Sequence, residues 1–540
     1  MWPHGDGVWF VPSLGAARRF HTFARLDSVG IKMMKHQYSE LLTLAKGGAT
    51  SLGGTATGRL LVFLSQVIVA RFLGAEVFGV FVLAVVAVKL AELIARLGLD
   101  TACMRFVSIF RKDHPAKLKG TLISSIVIAF VSGLVVAAIL FAGAGFLSDK
   151  VFEQSQLTNI IRLLCTCIPF MASMRVIAIG SQGFHTTRYS VYTKDFVQPL
   201  ANIILVIVFL LLGAGLRGVV YAFLLSHIAA VTAGMYLLIS RGFLDVRGSQ
   251  PSEFDITGLF HYSIPLLVSG VLSFVMVWTD SIMLGIMGST ADVGIYRAAA
   301  QIPLLMVLIL EASNSIYAPV SADLFGRGEI GRLGLVLKTT TRWVFTLALP
   351  AAIVLVFSAG HLMLLFGTEF VNPGAAVLVI LAGAQLVNCV TGGVGYTLIM
   401  TGRQNVQTVN SIVMLLVNVA LNIVLIPRLG AVGAALATGV TLAAMNIVRL
   451  VEVYAFYAIH PYNRSYLPVV AAGLVAAGVL VFFHRFLTPA SSVLVVLVNL
   501  LVVAVVFAAV LGFAGLLDED RYVLAAFKSK LRSLKPAGGN

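Results

Sequence analysis

The chain has 540 residues, 59% of them hydrophobic and 11% charged, with a formal net charge of +15. Soluble domains carry about 25% charged residues, so this composition excludes a string of water-soluble domains and makes the bilayer the solvent for most of the surface. The positive charge lies in loops and beside apolar runs, which points to membrane topology and to no nucleic-acid partner.

Residues 1–46 carry Arg18, Arg19, Arg25, Lys32 and Lys35 without a long apolar core. They read as a disordered cytoplasmic tail, not a secretory signal, and Met33 or Met34 could equally be the start. From Leu52 to Leu517, apolar runs of about 20 residues recur between short polar breaks, each long enough to cross a hydrocarbon core. The expected spans are 50–70, 76–98, 120–147, 158–180, 195–213 and 217–239, then 262–287, 293–316, 336–360, 374–399, 406–427 and 431–457, then 466–485 and 491–516. Strand-like alternation is absent, so the fold class is all-α, a polytopic bundle of about fourteen helices.

An offset of 215 residues places Gly79 on Gly294, Gly145 on Gly360, Gly180 on Gly395, Gly215 on Gly430 and Gly218 on Gly433. Arg188 falls on Arg403 in the same register. Small residues at shared positions are what closely packed membrane helices need. An even number of spans per unit keeps both copies in one orientation, so two parallel six-helix lobes are expected. The expected division is a first lobe over 47–240, a cytoplasmic linker over 241–261, a second lobe over 262–459, a two-helix appendage over 460–517 and a cytoplasmic tail over 518–540. With both termini inside, the inner connections and their flanks hold Arg105, Arg111, Lys112, Lys117, Lys119, Arg188, Lys194, Arg241, Arg247, Arg327, Arg332, Lys338, Arg342, Arg403, Arg449 and Arg464. The outer ones hold only Arg71, Lys150, Arg217, Arg428 and Arg485, the positive-inside asymmetry.

Six basic residues fall inside the spans: Arg59, Lys89, Arg96, Arg162, Arg175 and Arg297. Each costs about 2.5 kcal/mol or more at the bilayer centre unless it meets water, a partner or the interface. Arg162 and Arg175 lie near span ends, where snorkelling accounts for them. Arg59 and Lys89 each lie about nine residues from a span end, roughly 14 Å deep at 1.5 Å per residue. Lys89, Glu92 and Arg96 share a helical face, and an ion cluster between spans 1 and 2 is the structural alternative. The second lobe carries Asp280, Arg297 and Glu311, with Gln385, Asn388, Asn418 and Asn422. A basic first wall suits an anionic ligand, while Asp280 and Glu311 are candidates for binding H+ or Na+. An Asp280–Arg297 pair that only fixes the hairpin between spans 7 and 8 is the other reading.

Prolines 169, 199, 265, 303 and 350 mark kinks inside spans. Cys103, Cys165, Cys167 and Cys389 lack the spacing of a metal or disulfide framework and read as packing residues. No phosphate loop, H-E-x-x-H site or G-x-S-x-G elbow is present, so neither an ATPase nor an enzyme of these classes is expected, and no cofactor or metal. A polytopic glycosyltransferase or polymerase would need a longer loop outside the bilayer.

Ala70-Arg71-Phe72-Leu73-Gly74, Phe78-Gly79-Val80-Phe81, Gly98-Leu99, Thr279-Asp280, Leu284-Gly285 and Val293-Gly294-Ile295-Tyr296-Arg297-Ala298-Ala299 together resemble the multidrug/oligosaccharidyl-lipid/polysaccharide (MOP) exporter superfamily, with its Wzx-type polysaccharide flippases the nearest branch. The resemblance covers about residues 47–515. It implies a flippase that moves an undecaprenyl-pyrophosphate-linked oligosaccharide from the cytoplasmic to the periplasmic leaflet of a bacterial inner membrane. The headgroup would cross between the lobes while the polyprenyl tail stays in lipid, along spans 13 and 14. Arg59, Lys89, Arg96 and Arg297 would hold the pyrophosphate. The implied partners are the lipid-linked oligosaccharide, membrane lipids, a polysaccharide polymerase and a chain-length regulator. A drug/cation antiporter and a lipid II flippase are the alternatives within the superfamily.

Overall fold

The computed structural model describes residues 28–244, 252–486 and 491–514, with side chains described from Gly53 onward. All regular structure among these residues is helical, as expected for an all-α bundle. The helices are α1 (Ser28–Ala95), α2 (Leu99–Phe110), α3 (Pro115–Phe146), α4 (Gln156–Cys165), α5 (Ile168–Gly180), α6 (Arg188–Ser190), α7 (Gln198–Leu211) and α8 (Gly215–Ser240) in the first lobe. The second lobe has α9 (Ile256–Met287), α10 (Thr290–Ala300), α11 (Leu304–Gly326), α12 (Ile330–Phe357), α13 (Ala359–Leu364), α14 (Val371–Thr391), α15 (Val394–Met400) and α16 (Gln404–Tyr457). The pair α17 (Leu467–Phe486) and α18 (Ser492–Ala514) completes the chain.

Among the described residues, eleven helices are long and apolar enough to cross a membrane, or twelve when α4 and α5, bent by 47°, count as one span. Two of these are far longer than a bilayer requires: Gly53–Phe110 and Gln404–Tyr457 run for 58 and 54 residues. Both break at a glycine with positive φ, Gly74 (φ 77°) and Gly430 (φ 53°), a conformation that side-chain-bearing residues avoid. The backbone donors freed at these breaks are capped by acids from elsewhere in the chain: Ala75 N donates to Glu369 Oε2 at 2.9 Å and Ala431 N to Asp292 Oδ1 at 3.0 Å. The breaks coincide with the expected boundaries between spans 1 and 2 and between spans 11 and 12.

Other boundaries differ. α1 begins at Ser28, so the tail expected to be disordered over 1–46 is helical from that residue, while residues 1–27 lie outside the described residues. α9 begins at Ile256, inside the expected linker, and the C-terminal tail lies outside the described residues. The eighth expected span is interrupted at Pro303, between α10 and α11, and the tenth at Gly392 (φ 65°), between α14 and α15. Pro265 and Pro350 lie within helices, Pro199 lies inside the continuous helical stretch Arg188–Leu211 just after its π-helical turn Val191–Val197, and Pro169 sits in the first turn of α5, beside the 47° bend between α4 and α5. All four cysteines are free and buried, as expected of packing residues.

The lobes meet most broadly where α1 crosses α10. At the face opposite the basic loops, a further clasp joins them. Arg71 donates to the carbonyls of Leu364 and Leu365 at 3.1 and 3.2 Å, and Phe366 and Phe370 pack edge-on against Phe63 and Phe78. The appendage lies against α12 and α13, where buried Asn499 donates to Ser358 Oγ at 3.0 Å and meets His484 Nε2 at 2.9 Å.

Candidate functional site

Two joined chambers lie between the lobes, sharing Lys89, Met171, Gln198, His227 and Trp278 in their walls. The larger, of about 480 Å³, occupies the half nearer the basic loops and is lined by Glu92, Arg96, Arg175, Lys194, Gly270 and Ser273 among others. The smaller, of about 200 Å³, extends toward the opposite face between α1, α7 and α8, and Arg297 reaches into its wall from the second lobe. Five cations and one carboxylate line the two chambers together, so the enclosed field is positive and favours an anion.

Pairing separates those cations into two groups. Arg96 is clamped by Glu92 at 3.5 Å and Asp100 at 2.5 Å, and Lys194 lies 3.5 Å from Asp195. Lys89, Arg175 and Arg297 have no carboxylate within ion-pair distance among the described residues. Arg297 instead lies 3.7 Å from the Trp278 ring centroid and Lys89 4.8 Å from it, one cation from each lobe on a single indole. The ring's π-cloud holds both without neutralising either. Charge without a counter-ion inside a membrane bundle is costly, and an anion bound in the chambers would offset that cost.

The residues expected to form one pyrophosphate site are therefore divided. Lys89 and Arg297 face the chambers unpaired. Arg96 lines the larger chamber but is balanced by Glu92 and Asp100, although its Nε is buried without a hydrogen-bond partner. Arg59 does not line either chamber; its guanidinium pairs with Glu311 at 3.3 Å across the lobes, and both side chains are about half exposed. Glu311, expected as an ion-coupling candidate, is thereby engaged.

Asp280 does not pair with Arg297 to fix the hairpin. Its carboxylate accepts from Tyr296 Oη at 2.5 Å, Thr438 Oγ1 at 2.5 Å and Asn422 Nδ2 at 2.9 Å. Asn422 Nδ2 also donates to Asn418 Oδ1 at 3.0 Å, while Asn422 Oδ1 is buried without a hydrogen-bond partner. The result is a carboxylate on α9 held by three hydrogen-bond donors from α10 and α16, two hydroxyls and one amide NH2, an arrangement that favours the ionised form. Among the described residues, no cluster of three or more His, Cys, Asp or Glu could hold a metal ion.

Sequence reasoning missed several wall residues. Arg175 was attributable to snorkelling because its distance from a span end was the only information available, yet it lines the larger chamber. Trp278 carried a signal in its place two residues before Asp280, but an aromatic in an apolar span reads as packing. Asp100 sits four residues after Arg96, beyond the helix break at Leu97 and Gly98, so helical spacing alone did not bring it to Arg96.

Residues 44–325 match the family described as polysaccharide biosynthesis protein, and residues 265–424 match the MatE family. The chain is 27% identical over 280 residues to the probable low-salt glycan biosynthesis flippase Agl15 of Haloferax volcanii, covering 51% of this chain and 57% of that protein, somewhat over half its length. It is 24% identical over 416 residues to the probable flippase AglR of the same organism, covering 75% and 83% of the two chains. A putative O-antigen transporter of Shigella flexneri is 25% identical over 350 residues, covering 63% and 81%. Among solved structures, the lipid II flippase MurJ in an inward closed conformation shares the fold with a TM-score of 0.66 at 13% identity, covering 84% of this chain and 98% of that one. An inward-facing multidrug resistance MATE family transporter shares it with a TM-score of 0.65 at 15% identity, covering 74% and 94%. The match over more than half the chain, on a helical bundle with the MurJ and MATE fold, places this chain in the polysaccharide biosynthesis protein family.

Proposed function

We propose that this protein is a flippase that carries a polyprenyl-pyrophosphate-linked oligosaccharide across the membrane by alternating access, for the assembly of a surface polysaccharide such as O-antigen, capsule or exopolysaccharide. The observation that carries this reading is the presence of Lys89, Arg175 and Arg297, three cations without carboxylate partners, around an inter-lobe cavity. A pyrophosphate would supply the missing negative charge. The family membership and the names of its relatives support the glycan. Charge-assisted hydrogen bonds from the three cations would fix the diphosphate while the lipid tail remains outside the bundle.

In this reading, the basic loops face the cytoplasm of a bacterial inner membrane with both termini on that side, supported by the distribution of Lys and Arg. The clasp of Arg71 and Glu369 on the opposite face then closes the periplasmic exit, and the larger chamber lies on the cytoplasmic half. The product would be delivered to a polysaccharide polymerase and chain-length regulator. Transport would be coupled to H+ or Na+ at Asp280, a role supported by its carboxylate, which has no basic partner within ion-pair distance among the described residues, and by the nearby unpartnered Asn422 Oδ1. Glu311 is less suited because Arg59 already balances it. A cationic drug as cargo is disfavoured by the same three unpaired cations.

The test is the lipid extract of a strain lacking this protein. Accumulation of a pyrophosphate-linked oligosaccharide on the cytoplasmic leaflet, relieved by the wild-type chain and not by Lys89→Ala, is expected. An unchanged lipid profile with altered sensitivity to cationic compounds overturns the reading in favour of an antiporter.

A further inference from the structure

We propose that the basic-loop face of the first lobe is a docking surface for the headgroups of anionic phospholipids. This surface lies outside both chambers, and its ligand is independent of their cargo.

The 215-residue offset sets Lys112 on Arg327, Lys117 on Arg332 and Arg188 on Arg403. In the second lobe these cations are balanced or covered. Arg327 pairs with Asp323 at 2.9 Å, Arg332 pairs with Glu329 at 2.7 Å, and Arg403 lies 3.7 Å from the Phe456 ring centroid. The first-lobe counterparts of the two acids are Ser108 and His114, neither of them a carboxylate. The repeat keeps its basic positions in both lobes, and only the second supplies the acids that answer them.

Packing gathers the unanswered cations onto one surface. Arg111 donates to the Phe184 carbonyl at 3.4 Å, Phe184 stacks on Phe243 with ring centroids 4.0 Å apart, and Tyr189 meets Phe243 edge-on at 5.3 Å. These contacts draw together the connections after α2, α5 and α8, which carry Arg111, Lys112, Arg188 and Arg241, with Lys117 close by at the start of α3. Asp113 and Glu253 lie in the same region, yet none of the five cations has a carboxylate within ion-pair distance among the described residues.

The depth of this surface points to lipid as the source of the missing anions. Lys117 sits in the first turn of α3, directly before its apolar run, with its ammonium 5.9 Å from the Phe110 ring centroid. Ile109, next to Phe110, is half-exposed. Apolar and cationic groups at one level suit the boundary between hydrocarbon and headgroups, where phosphates are the nearest anions. Each Lys or Arg close to an anionic lipid surface contributes about a fivefold preference for it.

The full-length purified chain in detergent is titrated with phosphatidylglycerol and with phosphatidylcholine, and the lipids retained per chain are counted by native mass spectrometry. The wild type is expected to prefer phosphatidylglycerol by about tenfold or more. Lys112→Gln combined with Lys117→Gln should lower that preference by about fivefold, while Arg327→Gln combined with Arg332→Gln should leave it unchanged. The two double variants remove the same formal charge from the same face, so a response to net charge alone would lower both equally. Equal retention of the two lipids, an unchanged preference in the first-lobe variant or an equal loss in the second-lobe variant overturns the proposal. Displacement of phosphatidylglycerol by inorganic phosphate overturns it in favour of a soluble anion, and displacement by a polyglutamate peptide in favour of an acidic protein segment.

Discussion

Gly79 and Gly294, related by the 215-residue offset, pack against each other where α1 crosses α10. A Cβ on either would lie 3.1 Å from the backbone nitrogen of the other. The surrounding contacts are reciprocal: a Cβ at Gly79 would meet the Thr290 carbonyl and one at Gly294 the Ala75 carbonyl, and Ala75 and Thr290 are themselves 215 residues apart. Residue i meeting j while the counterpart of j meets the counterpart of i is the signature of a local two-fold relation.

Side chains at this crossing must force the backbones apart. Gly79→Leu or Gly294→Leu should lower the thermal midpoint of the detergent-solubilised protein, since overpacking costs about 1–3 kcal/mol. The double variant should cost less than the sum of the two, because both changes act on one contact. Additive losses would mean that the two positions act independently.

Lys89→Ala and Arg175→Ala should each reduce lipid-linked oligosaccharide flux by roughly 10–100-fold while leaving the protein in the membrane. Hydrogen bonds to charged groups are worth about 1.5–3 kcal/mol, and neither cation has a carboxylate within ion-pair distance among the described residues. Flux assays in vesicles containing matched amounts of protein decide this.

Arg59→Ala should be milder, with a flux loss below about tenfold and a stability change below about 1 kcal/mol, because its ion pair with Glu311 is half exposed. The exchange Arg59→Glu with Glu311→Arg should restore most of the single-variant loss. A loss as severe as that of Lys89→Ala would return Arg59 to the cargo site.

Asp280→Asn should leave the bundle folded, since an amide oxygen can still accept from Tyr296 and Thr438, yet uncouple flux from an imposed Na+ or H+ gradient. Flux that responds to the gradient as in the wild type would remove Asp280 from coupling.

Asn499→Leu should loosen the appendage. It leaves Ser358 and His484 without their shared partner in an apolar setting, at a cost of about 1–3 kcal/mol. Faster proteolysis between α17 and α18, with α1–α16 still protected, is the expected readout.

Local chemistry determined what was legible along the chain. Apolar runs of span length established a membrane bundle of helices, because the requirement for internal backbone hydrogen bonding in lipid is met within each segment. The glycine offset was legible for a similar reason: Gly79, Gly294 and Gly430 lie where only a residue without a side chain fits or bends. The presence of Lys89 and Arg297 in apolar surroundings marked them individually as unusual.

Which charge faces which was decided only by tertiary structure. Arg59 and Lys89 are equally deep by helical rise, yet one meets Glu311, 252 residues away, and the other meets Trp278 from the opposite lobe. Asp280 and Arg297, close enough in sequence to suggest a pair, are drawn apart by Asn422 and Thr438 on one side and the indole on the other. Electrostatic pairing depends on distances of a few ångströms between segments hundreds of residues apart. Spacing along a helix constrains such distances only within its own few turns.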